Sequence, residues 1–263
     1  MAEVLEYAWN TPSWVELATP DIEESKRFYA ELFGWGSYVL TNDRLGDYEV
    51  LTLDGPDGPE VAGMSQLADP VERPMWLFFF QTPDIETALK RVGEAGGQVL
   101  LEGVDVGDLG RMGTGQDPEG VEFGLWQPYR HQGAARVDEP GALAWIELAG
   151  ADLEGASTFY SRALDWRVGA LALEHLGERL EWTTEDGRPV ASAVSGEEDP
   201  FWLPYFGVAD CEAAVERAEA AGGRVLVEPG EGPSGRTSVI VDPHGARLVL
   251  VCRPPDPGRA REG

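Results

Sequence analysis

Apolar and polar residues alternate through Ser13-Trp14-Val15-Glu16-Leu17-Ala18, the two-residue period of a strand with two different faces. The period then changes. Thr19-Pro20-Asp21 ends the strand and offers helix caps, with Pro20 suited to a first turn. Apolar Ile22, Phe28, Tyr29, Leu32 and Phe33 follow at helical spacing until Gly34. Strand-like stretches come next at 35–41, 47–54 and 60–67, the last two separated by the turn Gly55-Pro56-Asp57-Gly58. The plan recurs from residue 75, with a strand over 75–81 and a helix over 84–95 closed by Gly96-Gly97. Strands are predicted at 98–103, 111–116 and 121–126, and Asp117-Pro118-Glu119-Gly120 turns the last hairpin. The unit is a strand, a helix and three strands.

That unit occurs four times, because the chain repeats itself. Residues 14–35 (WVELATPDIEESKRFYAELFGW) align without a gap on 145–166 (WIELAGADLEGASTFYSRALDW), and 76–97 align on 202–223. Two interleaved repeats in the order A-B-A′-B′ describe two homologous domains, each made of two βαβββ modules. The predicted class is α+β, with domains at 12–128 and 141–254, a linker at 129–140 and a tail at 255–263, linker and tail both exposed. A chain of 263 residues has room for two cores.

The helix starts at Asp21 and Asp152, the Phe28-Tyr29 and Phe159-Tyr160 pairs, the Ala-Gly-Gly helix ends at 95–97 and 221–223, and the turns at Asp117 and Asp242 together resemble the vicinal oxygen chelate superfamily. That superfamily holds glyoxalase I, extradiol dioxygenases and bleomycin-resistance proteins. The resemblance implies paired modules whose sheets curl into a cup around a ligand or metal, with helices on the outer face. It also implies where metal ligands would stand: Trp14, Leu77, Trp145 and Leu203 on first strands, Gly124 and Val249 on last strands. None of the six offers imidazole, carboxylate or thiolate, so no metal site is expected. His131 falls in the linker, His175 beyond the third module and His244 in a turn.

If those positions face inward, residues two apart on the same strands do too. The first cup then holds Trp14, Glu16, Leu77, Phe79, Glu122 and Trp126, with Tyr48 and Val50 from middle strands. The second holds Trp145, Glu147, Leu203, Tyr205, Arg247, Val249 and Val251. Arg247 is the expected ion-pair partner of Glu147. Glu16 and Glu122 have no evident cation, are expected to raise each other's pKa, and make the first cup the better site. Trp14, Trp126 and Trp145 are the expected ligand walls. Trp35, Trp76, Trp166, Trp202 and the Phe-Tyr pairs are expected core, and Arg111 and Arg236 are expected in surface ion pairs.

Lys plus Arg numbers 20 against 47 Asp plus Glu, a net charge of −27, which disfavours nucleic acid and anionic membrane as partners. No apolar run reaches membrane-spanning length and the N-terminus lacks the basic start of a signal peptide, so a cytoplasmic protein is expected. Cys211 and Cys252 are expected as plain thiols. No nucleotide-binding glycine fingerprint or nucleophile elbow occurs, and no cofactor is expected. The expected function is metal-independent binding of a small hydrophobic, aromatic or cationic metabolite, for sequestration or self-resistance, by a monomer or homodimer. The alternative is a metal-free lyase or isomerase with Glu16 or Glu122 as general base.

Overall fold

The computed structural model describes residues 6–42, 46–69, 73–150, 152–170, 179–232 and 234–252. The first module runs β1 (Pro12–Thr19), α1 (Ile22–Phe33), β2 (Gly36–Asn42), β3 (Gly46–Thr52) and β4 (Glu60–Gln66). The second runs β5 (Met75–Gln81), α2 (Ile85–Glu94), β6 (Gln98–Val106), β7 (Gly110–Gln116) and β8 (Glu122–Pro128). The third has β9 (Leu143–Gly150), α3 (Leu153–Ala163), β10 (Arg167–Ala170), β11 (Arg179–Thr183) and β12 (Pro189–Ser195). The fourth has β13 (Phe201–Gly207), α4 (Cys211–Ala220), β14 (Arg224–Gly232), β15 (Gly235–Val241) and β16 (Arg247–Cys252). The expected βαβββ plan holds in all four. His175 and the tail lie outside the described residues.

Each helix begins the same way. The Asp at its N-cap accepts the backbone N–H three residues on, Asp21 from Glu24 at 2.9 Å, Asp84 from Thr87 at 2.7 Å, Asp152 from Gly155 and Asp210 from Ala213 at 2.9 Å. Such a cap is worth about 1 kcal/mol. Pro20 therefore precedes the cap and lies outside the first turn. Gly34 ends α1 in the left-handed region at φ 76°, where a side chain would be strained.

Modules pair into two eight-stranded sheets, β2-β3-β4-β1-β5-β8-β7-β6 and β10-β11-β12-β9-β13-β16-β15-β14. They are mixed: β1 runs parallel to β4 and β5 to β8, while β1 and β5 join the two modules antiparallel. Strand alternation sorts the side chains as the sequence pattern requires. Val15, Leu17, Trp76, Phe78 and Phe80 face the helices, whereas Trp14, Leu77 and Phe79 face the concave side.

The helix-side cores were expected to be two, and they form one. Phe80 of the first sheet meets Trp166 of the second domain edge-on at 5.2 Å, and Phe206 meets Trp35 of the first at 5.4 Å. The Tyr29 hydroxyl donates to Asp242 at 3.2 Å, and Tyr160 donates to Asp117 at 3.1 Å, each bond crossing between domains. Arg217 of α4 donates to the Leu32 carbonyl of α1, and Arg91 of α2 to the Arg162 carbonyl of α3. The physical reason is the helix layer. Each domain's helices cover only part of its convex sheet face, and the other domain covers the rest.

Candidate functional site

In the first cup, antiparallel register sets Glu16 opposite Leu77 and Trp14 opposite Phe79, and Phe79 pairs in turn with Gly124 on β8. The same register continued to Glu122 puts it two strands from Glu16, about 10 Å at the usual interstrand spacing. Glu122 is not among the groups that act on Glu16. Glu16 does carry a raised pKa, but the cause is burial and not Glu122, contrary to the sequence expectation. Ser65 donates to Glu16 at 2.6 Å, and Tyr48 also hydrogen-bonds it, each partly offsetting that rise. Tyr48 accepts from the Trp14 indole at 2.8 Å. Gly63 makes room for this arrangement, since a Cβ there would stand 1.7 Å from the Tyr48 hydroxyl oxygen.

The linker, expected to be exposed, packs over this cup. Ala134 is buried and Val137 packs beside it, while the His131 ring lies 4.8 Å from Trp14 and 5.8 Å from Trp126. His131 Nδ1 stands 3.2 Å from Glu60, whose carboxyl also receives the Tyr38 hydroxyl. Trp14 and Trp126 are consequently buried, not open ligand walls.

The second cup repeats the frame with three different side chains. Where Tyr48 stands in the first domain, the same register position carries Arg179; Phe79 becomes Tyr205, and Gly63 becomes Ser192. All three converge on Glu147, which is buried. Arg179 forms an ion pair with it, Ser192 donates to it at 2.7 Å and Tyr205 at 2.8 Å. Trp145 donates to the Ser192 hydroxyl at 2.9 Å. Desolvation and the neighbouring Glu147 charge push the Tyr205 hydroxyl above its ordinary pKa. The expected Glu147–Arg247 pair does not form. Arg247 is exposed at the rim, where it lies over the Phe201 ring at 4.9 Å and pairs with Glu197 at 3.3 Å. Arg111 and Arg236 form the surface ion pairs expected of them.

A cavity of about 770 Å³ opens over this second cup. Trp145, Arg179, Glu181 and Ser192 form one wall, and the β14–β15 turn at Gly232, Ser234 and Gly235 forms another. Tyr7, Val137 and Asp138 border its mouth. The Arg179 Nε is buried and has no hydrogen-bond acceptor among the described residues. Sequence reading missed Arg179 and Ser192. The signal was present: the same offset that aligns Trp14 with Trp145 sets Tyr48-Glu49-Val50-Leu51 on Arg179-Leu180-Glu181-Trp182 without a gap, whereas Ser192 aligns with Gly63 only after a shortening of the turn between β11 and β12.

The superfamily's metal geometry does not fit these residues. Gly124, at an expected carboxylate position, is roofed by Phe79, whose ring would meet a Cβ there at 2.2 Å. Val249 is buried among Leu203, Tyr205 and Val251. Among the described residues no three His, Cys, Asp or Glu side chains gather where they could hold a metal ion. His244 pairs with Glu24 across the domains, and both cysteines are free thiols, with burial pushing Cys211 up to about 11.

Four βαβββ modules paired into two concave sheets define a glyoxalase-type fold. The chain belongs to the Glyoxalase/Bleomycin resistance protein/Dioxygenase superfamily, which matches residues 11–125 and 142–250. It is 34% identical over 261 residues to the anthracycline biosynthesis protein DnrV of Streptomyces peucetius, covering 93% of this chain and 94% of that one. It is 35% identical over 257 residues to the putative glyoxylase CFP32 of Mycobacterium tuberculosis, covering 95% and 97%. Among solved structures it resembles the 2,3-dioxygenase LapB from Pseudomonas sp. KL28, with a TM-score of 0.65, 15% identity, and 98% and 96% of the chains covered. The Mn(II)-bound glyoxalase from Novosphingobium aromaticivorans matches with a TM-score of 0.63 at 16% identity, covering 94% and 88%. These two likenesses concern the fold. Among the described residues no helix is long and apolar enough to cross a membrane.

Proposed function

We propose that this protein binds a planar aromatic metabolite in the second cup without a metal ion, as a sequestering or self-resistance protein. The cavity carries the reading: about 770 Å³ is the size of small-molecule sites, and its wall combines an indole, a guanidinium and a hydroxyl. Trp145 supplies the flat apolar surface. Arg179, already neutralised by Glu147, supplies a donor for a neutral acceptor such as a ring carbonyl without demanding an anion. Glu181 and Asp138 add negative charge to the lining, which suits an amine on the same ligand. The relatives named for anthracycline biosynthesis agree with a fused-ring ligand of that class.

The test is titration of Trp fluorescence and heat with an anthracycline in buffer containing EDTA. The expected result is saturable one-to-one binding, weakened at least tenfold by Trp145→Leu. Binding that appears only after a divalent metal is added, or that ignores Trp145→Leu, refutes the reading. A second reading, a metal-free lyase or isomerase, draws on Glu16, whose raised pKa suits a general base. Product formation that disappears in Glu16→Gln but persists in Trp145→Leu places the reaction in the first cup and distinguishes it from binding in the second.

A further inference from the structure

The sequence has two cysteines, and they come from opposite ends of the fourth module to one corner outside both cups. Cys211 opens α4 and Cys252 closes β16. The domain repeat shows why they meet. The caps Asp84 and Asp210 correspond, so Cys211 stands where Ile85 stands. Phe79 pairs with Gly124 as Tyr205 pairs with Val249, which sets Cys252 where Gln127 stands. In the first domain the Ile85 N–H donates to Gln127 Oε1 at 3.0 Å, so a side chain from the last strand reaches the first turn of the helix. In the second domain two thiols hold those positions. Cys252 Sγ lies 3.3 Å from the carbonyl of Ala209, two residues before Cys211. Cys211 Sγ lies 3.2 Å from the carbonyl of Arg236, the residue opposite Cys252 on β15, and the Cys252 N–H hydrogen-bonds it. A sulfur held at its partner's own backbone nitrogen is within side-chain rotation of the partner's sulfur.

We propose that Cys211 and Cys252 are a redox modification site, closing to a reversible disulfide when hydrogen peroxide reaches Cys252. Exposure sets the order of events: Cys252 is half-buried, whereas Cys211 is 1% exposed. The Cys252 sulfur attacks one peroxide oxygen and the O–O bond breaks. The departing hydroxide leaves as water with the thiol proton, and Cys252 becomes a sulfenic acid. The Cys211 sulfur then attacks the Cys252 sulfur, and its proton leaves with the displaced hydroxide as a second water. Two thiols have lost two electrons to one peroxide. Burial pushes the Cys211 thiol up to about 11, so the second step is the slower one. Little is lost on closure, because a thiol is a weak donor to the Arg236 and Leu250 carbonyls. The bond ties the end of β16 to the start of α4 and restrains the chain between them in the unfolded state. A small dithiol reverses it.

The experiment treats the reduced full chain with hydrogen peroxide, then counts thiols after denaturation and maps them by mass spectrometry of a non-reducing digest. The expected result is loss of both thiols, a mass lower by two hydrogens, and a peptide pair joined through Cys211 and Cys252. The oxidised chain should melt above the reduced one, and dithiothreitol should restore thiols and Tm together. In Cys211→Ser, dimedone should capture a lasting sulfenic acid on Cys252; in Cys252→Ser, Cys211 should stay a free thiol through the same exposure. Two thiols retained by wild type at a peroxide level that oxidises Cys252 in Cys211→Ser overturn the proposal. Cys252 passing to sulfinic acid while Cys211 stays free, or disulfides only between chains, also overturns it. Should Cys211→Ser melt early, Cys211→Ala replaces it, and the wild-type digest decides without either variant. No arm depends on a ligand in either cup, so failure here leaves the second-cup reading intact.

Discussion

Replacing Arg179 by methionine keeps most of the side chain's length and volume while deleting the guanidinium that neutralises Glu147. Both side chains are deeply buried, at 11% and 6% exposure, so solvent screens the loss poorly. Removing one partner of such a pair costs about 3–5 kcal/mol, chiefly for the charge left behind. Ser192 and Tyr205 still donate to Glu147, which places the expected cost near the lower end, about 3 kcal/mol. For a chain of this size that corresponds to a fall in Tm of roughly 6 °C. Differential scanning calorimetry reads it directly. Glu147→Gln combined with Arg179→Met should recover part of the loss, because the orphaned charge is then absent. Arg247→Leu is the control: its pair with Glu197 is exposed on both sides, and such pairs contribute about 0–1 kcal/mol. If Arg247→Leu costs as much as Arg179→Met, the assignment of Glu147's partner is wrong.

Two further outcomes follow from buried groups. Tyr29→Phe and Tyr160→Phe each leave a carboxylate oxygen of Asp242 or Asp117 short of a donor, at about 1–3 kcal/mol apiece, and thermal unfolding should stay a single transition because the two domains share a core; two separated transitions would count against the shared core. Glu16 has a folded pKa raised above its ordinary value, so its favourable contribution is complete at acid pH and is lost as pH rises through the folded pKa. The Tm of wild type minus that of Glu16→Gln, followed upward from about pH 4, below the ordinary value of 4.5, should therefore fall as pH rises toward the folded pKa. Asp117 and Asp242 are also raised by burial but are common to both proteins and cancel. A difference that rises with pH would reverse the sign and reject the burial argument.

The local rules were legible because they act between neighbours in the chain. Asp21, Asp84, Asp152 and Asp210 each cap the helix that follows, and the two-residue alternation through Trp14, Glu16, Leu77 and Phe79 gives their shared concave face. The four-fold repeat could be read for the same reason, and with it the fold. The partner of Glu147 could not. Arg247 and Arg179 both lie two strands from β9, on opposite sides, and strand parity favours neither. The choice rests on Phe201 and Glu197 holding Arg247 at the rim while Ser192 and Tyr205 gather with Arg179 around the buried carboxylate.

Glu16 and Glu122 illustrate the same limit, since facing one way does not make two residues neighbours, and Leu77 stands between them. The state of the first cup was also invisible, because the ring that fills it comes from the linker, a segment whose own pattern predicts only exposure. Sequence alone determined the elements, their repetition and which face each side chain takes, all consequences of backbone period and capping. Tertiary structure decided which charges meet, which cup stays open and that two domains share one core, because those depend on how distant segments compete for the same buried volume.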